Sequence, residues 1–204
     1  MKIKETNAKS ILRKYKTIDS WFISKYGMNL YRGCMHNCVY CDGRSEKYKV
    51  LGIFGSDIEV KRNAIDILSK ELSKGKDFEK PFKKGFIMLG GGVGDSYQPV
   101  EEKYEITKKT LELLNKHNLP VHILTKSTLI KRDMELLKEI NENTKVLISM
   151  SFSSIEEDIC KIFEPGVPSP IERIKVLSEF KKQGFSCGMF LLPVIPVEHP
   201  LISV

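Results

Sequence analysis

From residue 85 onward the chain alternates between two hydrophobic periods. Short apolar runs stopped by glycine or polar residues read as buried strands: GFIMLGGG (85–92), VHILT (121–125), KVLISMS (145–151) and SCGMFLLPVI (186–195). Between them lie stretches that are apolar only every three or four positions. EEKYEITKKTLELLNKHN (101–118) carries Tyr104, Leu111 and Leu114 on one stripe and ends before Pro120. DMELLKEIN (133–141) reads as a short helix. The next helix has an explicit start, with Ser169 as N-cap, Pro170 at the first helical position and Glu172 completing a capping box. Its expected core stripe is Ile171, Ile174, Leu177 and Phe180, and it stops at Gly184. Earlier in the chain, 60–74 reads as a helix with Ile65, Leu68 and Leu72 on one face. YGMNLYRG (26–33) can hold a short first strand, and EKYKVLGIFG (46–55) is a connection.

Strand–helix alternation with short loops predicts an α/β fold, a parallel sheet covered by helices. A doubly wound sheet and a barrel-like arc both satisfy the pattern. In either, chemistry gathers at the carboxyl ends of the strands. Asp95, Thr125, Lys126, Ser127, Ser149 and Ser151 all fall there.

Composition narrows the class. With 204 residues, 41% apolar and 29% charged, the chain suits one domain or two small ones and excludes a disordered tail, a collagen-like repeat and a coiled coil. It has no apolar run long enough to span a bilayer, and the opening MKIKETNAKS lacks an apolar core of the secretory kind, so a cytoplasmic location is expected. The 33 basic and 26 acidic residues give a net charge of +7, unevenly spread. Lys2, Lys4, Lys9, Arg13, Lys14 and Lys16 make 1–25 a basic segment, expected to form an arm or a short helix ahead of a main domain over 26–204. Lys74, Lys76, Lys80, Lys83 and Lys84 form a second cluster. Such patches are compatible with nucleic acid and equally with a solvated surface.

Three of the five cysteines fall within eight residues, in YRGCMHNCVYCDGR. Where thiols stay reduced, metal binding is favoured over disulfides. Cys34, Cys38 and Cys41 can hold three corners of a cubane iron–sulfur cluster and leave one iron open to a small molecule. The alternative is zinc, with His36 as a fourth ligand. Structural zinc sites usually draw two ligand pairs from separate loops, and a second pair is missing, which favours iron. Cys160 and Cys187 read as small buried apolar residues. His117 and His122 have no partner set and read as helix-end and strand residues.

The x3, x2 spacing with Tyr40 before the third cysteine resembles the cluster motif of radical S-adenosylmethionine (SAM) enzymes. YRGCMHNCVYC is similar to the branch of spore photoproduct lyases and DNA-repair-photolyase-like proteins. GDSYQPVE (94–101), LTKS (124–127), ISMSFSS (148–154) and EPGVPSPIERI (164–174) extend the likeness over about residues 28–196. The resemblance implies a partial TIM barrel of five or six strand–helix units, a 4Fe-4S cluster on the three cysteines, and SAM chelated to the open iron. Reductive cleavage would give a 5′-deoxyadenosyl radical that abstracts hydrogen from a substrate, with nucleic acid a candidate. A reductant such as flavodoxin or ferredoxin would deliver the electron.

By the same resemblance Gly90, Gly91 and Gly92 stand in the SAM-amino-binding segment, without the carboxylate many relatives carry there. Asp95 and Gln98 would contact SAM or substrate, or simply cap a loop. Lys126 would pair with the SAM carboxylate, and Ser149 and Ser151 would hydrogen-bond its ribose or carboxylate. Arg173 would fork onto a carboxylate or pair with Glu164 or Glu172 at the surface. Pro193 and Pro196 would pack near adenine. Spore photoproduct lyases carry a cysteine hydrogen donor after the second strand; GGGVGDSYQPV has none, so lesion repair by that route is not expected. About five units are present where the family generally builds six, so the chain is expected either to be truncated at its C-terminus or to take its last strand from a partner chain, and to be less stable alone than a complete barrel. A non-catalytic zinc- or cluster-binding nucleic-acid module is the competing reading.

Overall fold

In a computed structural model, which describes residues 2–50, 52–74, 85–90 and 93–195, six strands form one sheet in the order β2-β3-β6-β7-β8-β9. These are β2 (Leu12–Asp19), β3 (Ser24–Met28), β6 (Phe86–Leu89), β7 (Val121–Thr125), β8 (Val146–Phe152) and β9 (Ser186–Leu191). The last five run parallel, and each pairs with the next in the sheet; only β2 is antiparallel. A doubly wound sheet reverses its strand order part-way. This one advances in a single direction, the arc of a partial barrel. β1 (Lys2–Thr6), β5 (Asp57–Lys61) and β4 (Tyr31–Arg32) form a small second sheet in the order β1-β5-β4.

The helices are α1 (Ala64–Lys74), α2 (Glu101–Tyr104), α3 (Ile106–Lys116), α4 (Met134–Asn143), α5 (Glu157–Phe163) and α6 (Pro170–Lys182). They cover one face of the sheet. On β8, Val146, Ile148, Met150 and Phe152 are fully buried and join the core beneath α4 and α6. The intervening Leu147, Ser149 and Ser151 point to the other face, as strand alternation requires.

The basic segment forms strands rather than an arm or helix. β1 is parallel to β5, and β2 folds back on β3. Exposed lysines on half-buried strands hide their period from a count of apolar residues. The helix expected from residue 60 begins at Ala64, because 57–61 pairs as β5. The helix expected over 101–118 breaks at Glu105 (φ +51°). There the buried Glu101 carboxylate accepts the N–H groups of Thr107 and Lys108, capping α3 from outside.

The capping box at Ser169 and Glu172 forms as expected. The core stripe of α6 forms in its second half only: Leu177 and Phe180 are buried as expected, but Ile171 and Ile174 are 56% and 37% exposed, while Pro170, Arg173 and Val176 face inward instead. Turning Arg173 toward an interior partner rotates the stripe.

Candidate functional site

At the carboxyl ends of the parallel strands lies a cavity of about 390 Å³. Cys34, Cys38 and Cys41 line it together with Asp95, Thr125, Lys126 and Ser151, and Tyr40, Phe22, Leu192 and Pro193 close its sides.

The cysteine loop follows β4 directly and is pinned along its length. The Gln98 Oε1 accepts from the Met35 N–H at 2.9 Å while its Nε2 donates to the Gly33 carbonyl. The Val39 N–H donates to the Phe163 carbonyl, and the Gly166 N–H to the His36 carbonyl. The Arg44 guanidinium donates to the carbonyls of Asn37 and Cys38. Gly166 permits the approach of the 163–166 turn, since a Cβ there would collide with the Met35 carbonyl oxygen and lie 2.9 Å from that of His36.

Asp95 organises the floor. It is buried and accepts from the Tyr97 N–H, the Thr125 hydroxyl, the Lys126 N–H and the His36 Nε2. Burial raises its pKa, yet the His36 ring and the two backbone N–H donors outweigh that and hold it below the ordinary carboxylate value. Lys126 Nζ reaches the Ser151 hydroxyl at 2.7 Å and stands 3.9 Å from Glu164.

The Glu164–Arg173 pair, expected at the surface, is wholly buried. One Glu164 oxygen accepts from the Tyr40 hydroxyl and the other from Arg173 at 2.7 Å. Arg173 also donates to the Ser151 carbonyl at 2.6 Å. It does not line the cavity, so its contact in this structure is with the end of β8 rather than with a ligand's carboxylate. Ser149 likewise lies off the cavity and hydrogen-bonds the buried His122. Of the other residues read from the sequence, Gly90 (φ +78°) lines a neighbouring cavity, Pro193 lines this one, and Gly91, Gly92 and Pro196 lie outside the described residues.

The thiols suit a cluster. Burial pushes Cys34 well above the usual thiol range, and pushes Cys38 up to about 11, with the nearby Lys126 charge opposing. Bare, these are neutral thiols; a bound metal displaces their protons and becomes the thiolates' counter-charge. Both His36 ring nitrogens are engaged, Nδ1 with the Gly166 carbonyl at 2.8 Å and Nε2 with Asp95 at 3.1 Å. Neither is free to complete a zinc site. Among the described residues no three His, Cys, Asp or Glu side chains converge tightly enough for one ion. A cubane instead spreads its thiolates over separate irons.

Residues 28–200 match the Radical SAM superfamily. The chain belongs to that superfamily. An uncharacterized protein of Methanocaldococcus jannaschii is 31% identical over 174 residues, covering 85% of this chain and 61% of that protein. One of Mycobacterium tuberculosis is 28% identical over 176 residues, covering 84% of this chain and 50% of the relative. Among solved structures, spore photoproduct lyase complexed with dinucleoside spore photoproduct superposes with a TM-score of 0.69 at 19% identity, over 96% of this chain and 52% of that one. The same values hold for a mutant of that enzyme with bound AdoMet. This radical SAM chain therefore shares the lyase's fold and spans roughly half to three-fifths of the length of these relatives. Superfamily membership implies an iron–sulfur cluster and SAM.

The sequence singled out the cysteines, Asp95, Lys126 and Ser151, and all six line the cavity. It named Glu164 only as a surface partner for Arg173, and Gly166 only within a family string. The two stand in one E-P-G run, in the turn before α6.

Proposed function

We propose that this chain is the catalytic core of a radical SAM enzyme acting on a nucleic-acid component. Cys34, Cys38 and Cys41 would each ligate one iron of a 4Fe-4S cluster and leave the fourth to SAM. When bound and reduced, that cluster supplies the electron that splits SAM into methionine and a 5′-deoxyadenosyl radical, which takes a hydrogen atom from the substrate.

The supporting observation is that three cysteines, a lysine and a serine line one cavity at the carboxyl ends of parallel strands. The Lys126 ammonium, held by Ser151, offers a charge partner for a carboxylate. Phe22, Leu192 and Pro193 present apolar walls that limit water. Asp95 holds the Lys126 N–H and Thr125 hydroxyl in register with the cysteine loop. SAM contacts at Gly90, Gly91 and Gly92 belong to the same proposal, with Arg173 acting through the Ser151 carbonyl it holds, whereas Ser149, off the cavity and bonded to His122, drops out of it.

The substrate class rests on the +7 charge and on the dinucleoside ligand named for the lyase of similar fold. A low-potential donor such as flavodoxin or ferredoxin would supply the electron. The segment 93–100 holds no cysteine, so a hydrogen donor of that kind is not part of the proposal.

The test is iron, sulfide and zinc content of anaerobically reconstituted protein, followed by an assay for 5′-deoxyadenosine. About four irons and four sulfides per chain, lost in Cys34→Ala, Cys38→Ala and Cys41→Ala, together with SAM cleavage, is the expected result. One zinc and no sulfide after reconstitution would overturn it and leave a zinc-stapled binding domain.

A further inference from the structure

A second cavity, of about 380 Å³, adjoins the first. Gly94 and Asp95 line both, so one short segment of chain is their common wall. Part of the second cavity comes from the basic N-terminal segment, through Ser10, Ile11, Arg13 and Tyr15. Ser10, Arg13 and Tyr15 come from β2 and its approach, Asn29 from the turn after β3, Tyr48 from the loop beyond the cysteines, and Ser96 from the far side of the wall.

The side chains of Asp95, Tyr31 and Tyr48 in its lining are hydrogen-bonded elsewhere, and the rest of its polar side chains are uncommitted. Among the described residues no hydrogen bond or ion pair engages the side chains of Ser10, Arg13, Asn29 or Ser96. The Arg13 guanidinium has no carboxylate partner there; it lies 5.8 Å from the centroid of the Tyr15 ring. Tyr15 in turn lies across Gly27, where a Cβ would collide with its hydroxyl. The missing side chain is what lets this ring lie flat over β3. Polar side chains gathered around a cavity without partners of their own are suited to a polar ligand.

The chemistry of that ligand follows from the set. An unpaired guanidinium forks onto a phosphate or carboxylate. Two phenol rings offer faces to a flat ring. An amide with a donor and an acceptor, flanked by two hydroxyls, can read a heteroaromatic edge. The volume suits a ligand of one phosphate and one base. We propose that the second cavity is a nucleotide subsite, with Arg13 holding the phosphate, Tyr15 flanking the base, and Asn29 reading its edge. As the seat of the nucleotide next to the one presented to the cluster, it rests on the proposed function. The ligand chemistry itself rests only on the lining residues.

The test is calorimetric titration of the cluster-loaded protein with 5′-nucleoside monophosphates, with the parent nucleosides and inorganic phosphate as partial probes. The nucleotide is expected to bind more tightly than either part. Arg13 and Asn29 are exposed, so variants there should fold. Arg13→Ala and Asn29→Asp should each weaken nucleotide binding about tenfold or more, the second by placing a negative charge in the cavity. Lys138→Ala, which removes one positive charge from a distant surface helix, should not. Absent nucleotide binding, equal binding by all variants, or inorganic phosphate binding as tightly as the nucleotide would each overturn the subsite. SAM cleavage is measured on the same preparation. Cleavage without nucleotide binding overturns only the subsite. Binding with the expected variant pattern but no cleavage overturns only the proposed function.

Discussion

Glu164 and Arg173 form an ion pair at 2.7 Å with neither side chain reaching solvent. The pair ties three elements together. Glu164 also accepts from Tyr40 of the cysteine loop, and Arg173 donates to the Ser151 carbonyl at the end of β8. Removing one partner of a buried pair leaves a lone charge in a low-dielectric interior, which costs about 3–5 kcal/mol. Arg173→Met should therefore lower the urea unfolding free energy by no more than about that amount, because Lys126, 3.9 Å from Glu164, still opposes its charge. The double variant Glu164→Gln/Arg173→Met should lose markedly less than the sum of the singles, because the stranded charge is gone. Strictly additive losses would sink the account.

Gly166→Ala should impair cluster loading. The new methyl would meet two backbone carbonyl oxygens, of Met35 and His36, and neither can swing aside as a flexible side chain would. The 163–166 turn must move away from the cysteine loop, breaking the Gly166-to-His36 and Val39-to-Phe163 hydrogen bonds. The expected outcome is a loss of about 1–3 kcal/mol in stability and fewer irons per chain after reconstitution. Full iron content with unchanged stability would show that the turn carries no strain from the methyl.

The strands that frame the site were legible because their buried residues are apolar at nearly every helix-facing position, as Val146, Ile148, Met150 and Phe152 are in β8. The cysteine spacing identified the loop, and the capping box marked the start of α6. What was hidden depends on contacts far apart in sequence. Glu164 and Arg173 are charged residues that nothing local marks as buried. Arg173 reads as a solvated helix position until the fold brings the Ser151 carbonyl to it. The strands β1 and β2 are half-exposed and lysine-rich, so their burial period is too weak to see. His36 entered only as the fourth ligand of the disfavoured zinc alternative, by its proximity to the cysteines. Its second nitrogen is claimed by Asp95, 59 residues away.

Lys126→Met should separate SAM binding from cluster assembly. The ammonium lines the cavity but is not a thiolate, so iron content should stay near that of the parent. Losing one charge-assisted hydrogen bond costs about 1.5–3 kcal/mol, roughly a ten- to hundredfold rise in the SAM dissociation constant. Equilibrium dialysis with labelled SAM on reconstituted protein reads this directly. An unchanged SAM affinity would remove Lys126 from the cofactor's contacts.

His122 should give the fold a pH dependence near neutrality. The ring is buried inside the arc among Phe22, Phe86 and Phe190. Its Nδ1 is 2.8 Å from the Phe22 carbonyl, which only accepts, so Nδ1 carries the proton. Nε2 then accepts from the Ser149 hydroxyl, also at 2.8 Å. Burial lowers the pKa below the ordinary histidine value, and the Phe22 carbonyl only partly opposes this. A depressed folded pKa means that the unfolded chain takes up the proton first, near pH ~6.5. The contribution of neutral His122 is thus complete above that pH and is lost as pH falls toward the folded pKa. Unfolding free energy should decline between about pH 7 and 5, and His122→Gln should flatten that decline. His36, His117 and His199 are present in both proteins, so the difference in slope isolates His122. Identical slopes in parent and variant would mean that His122 takes up its proton equally readily folded and unfolded.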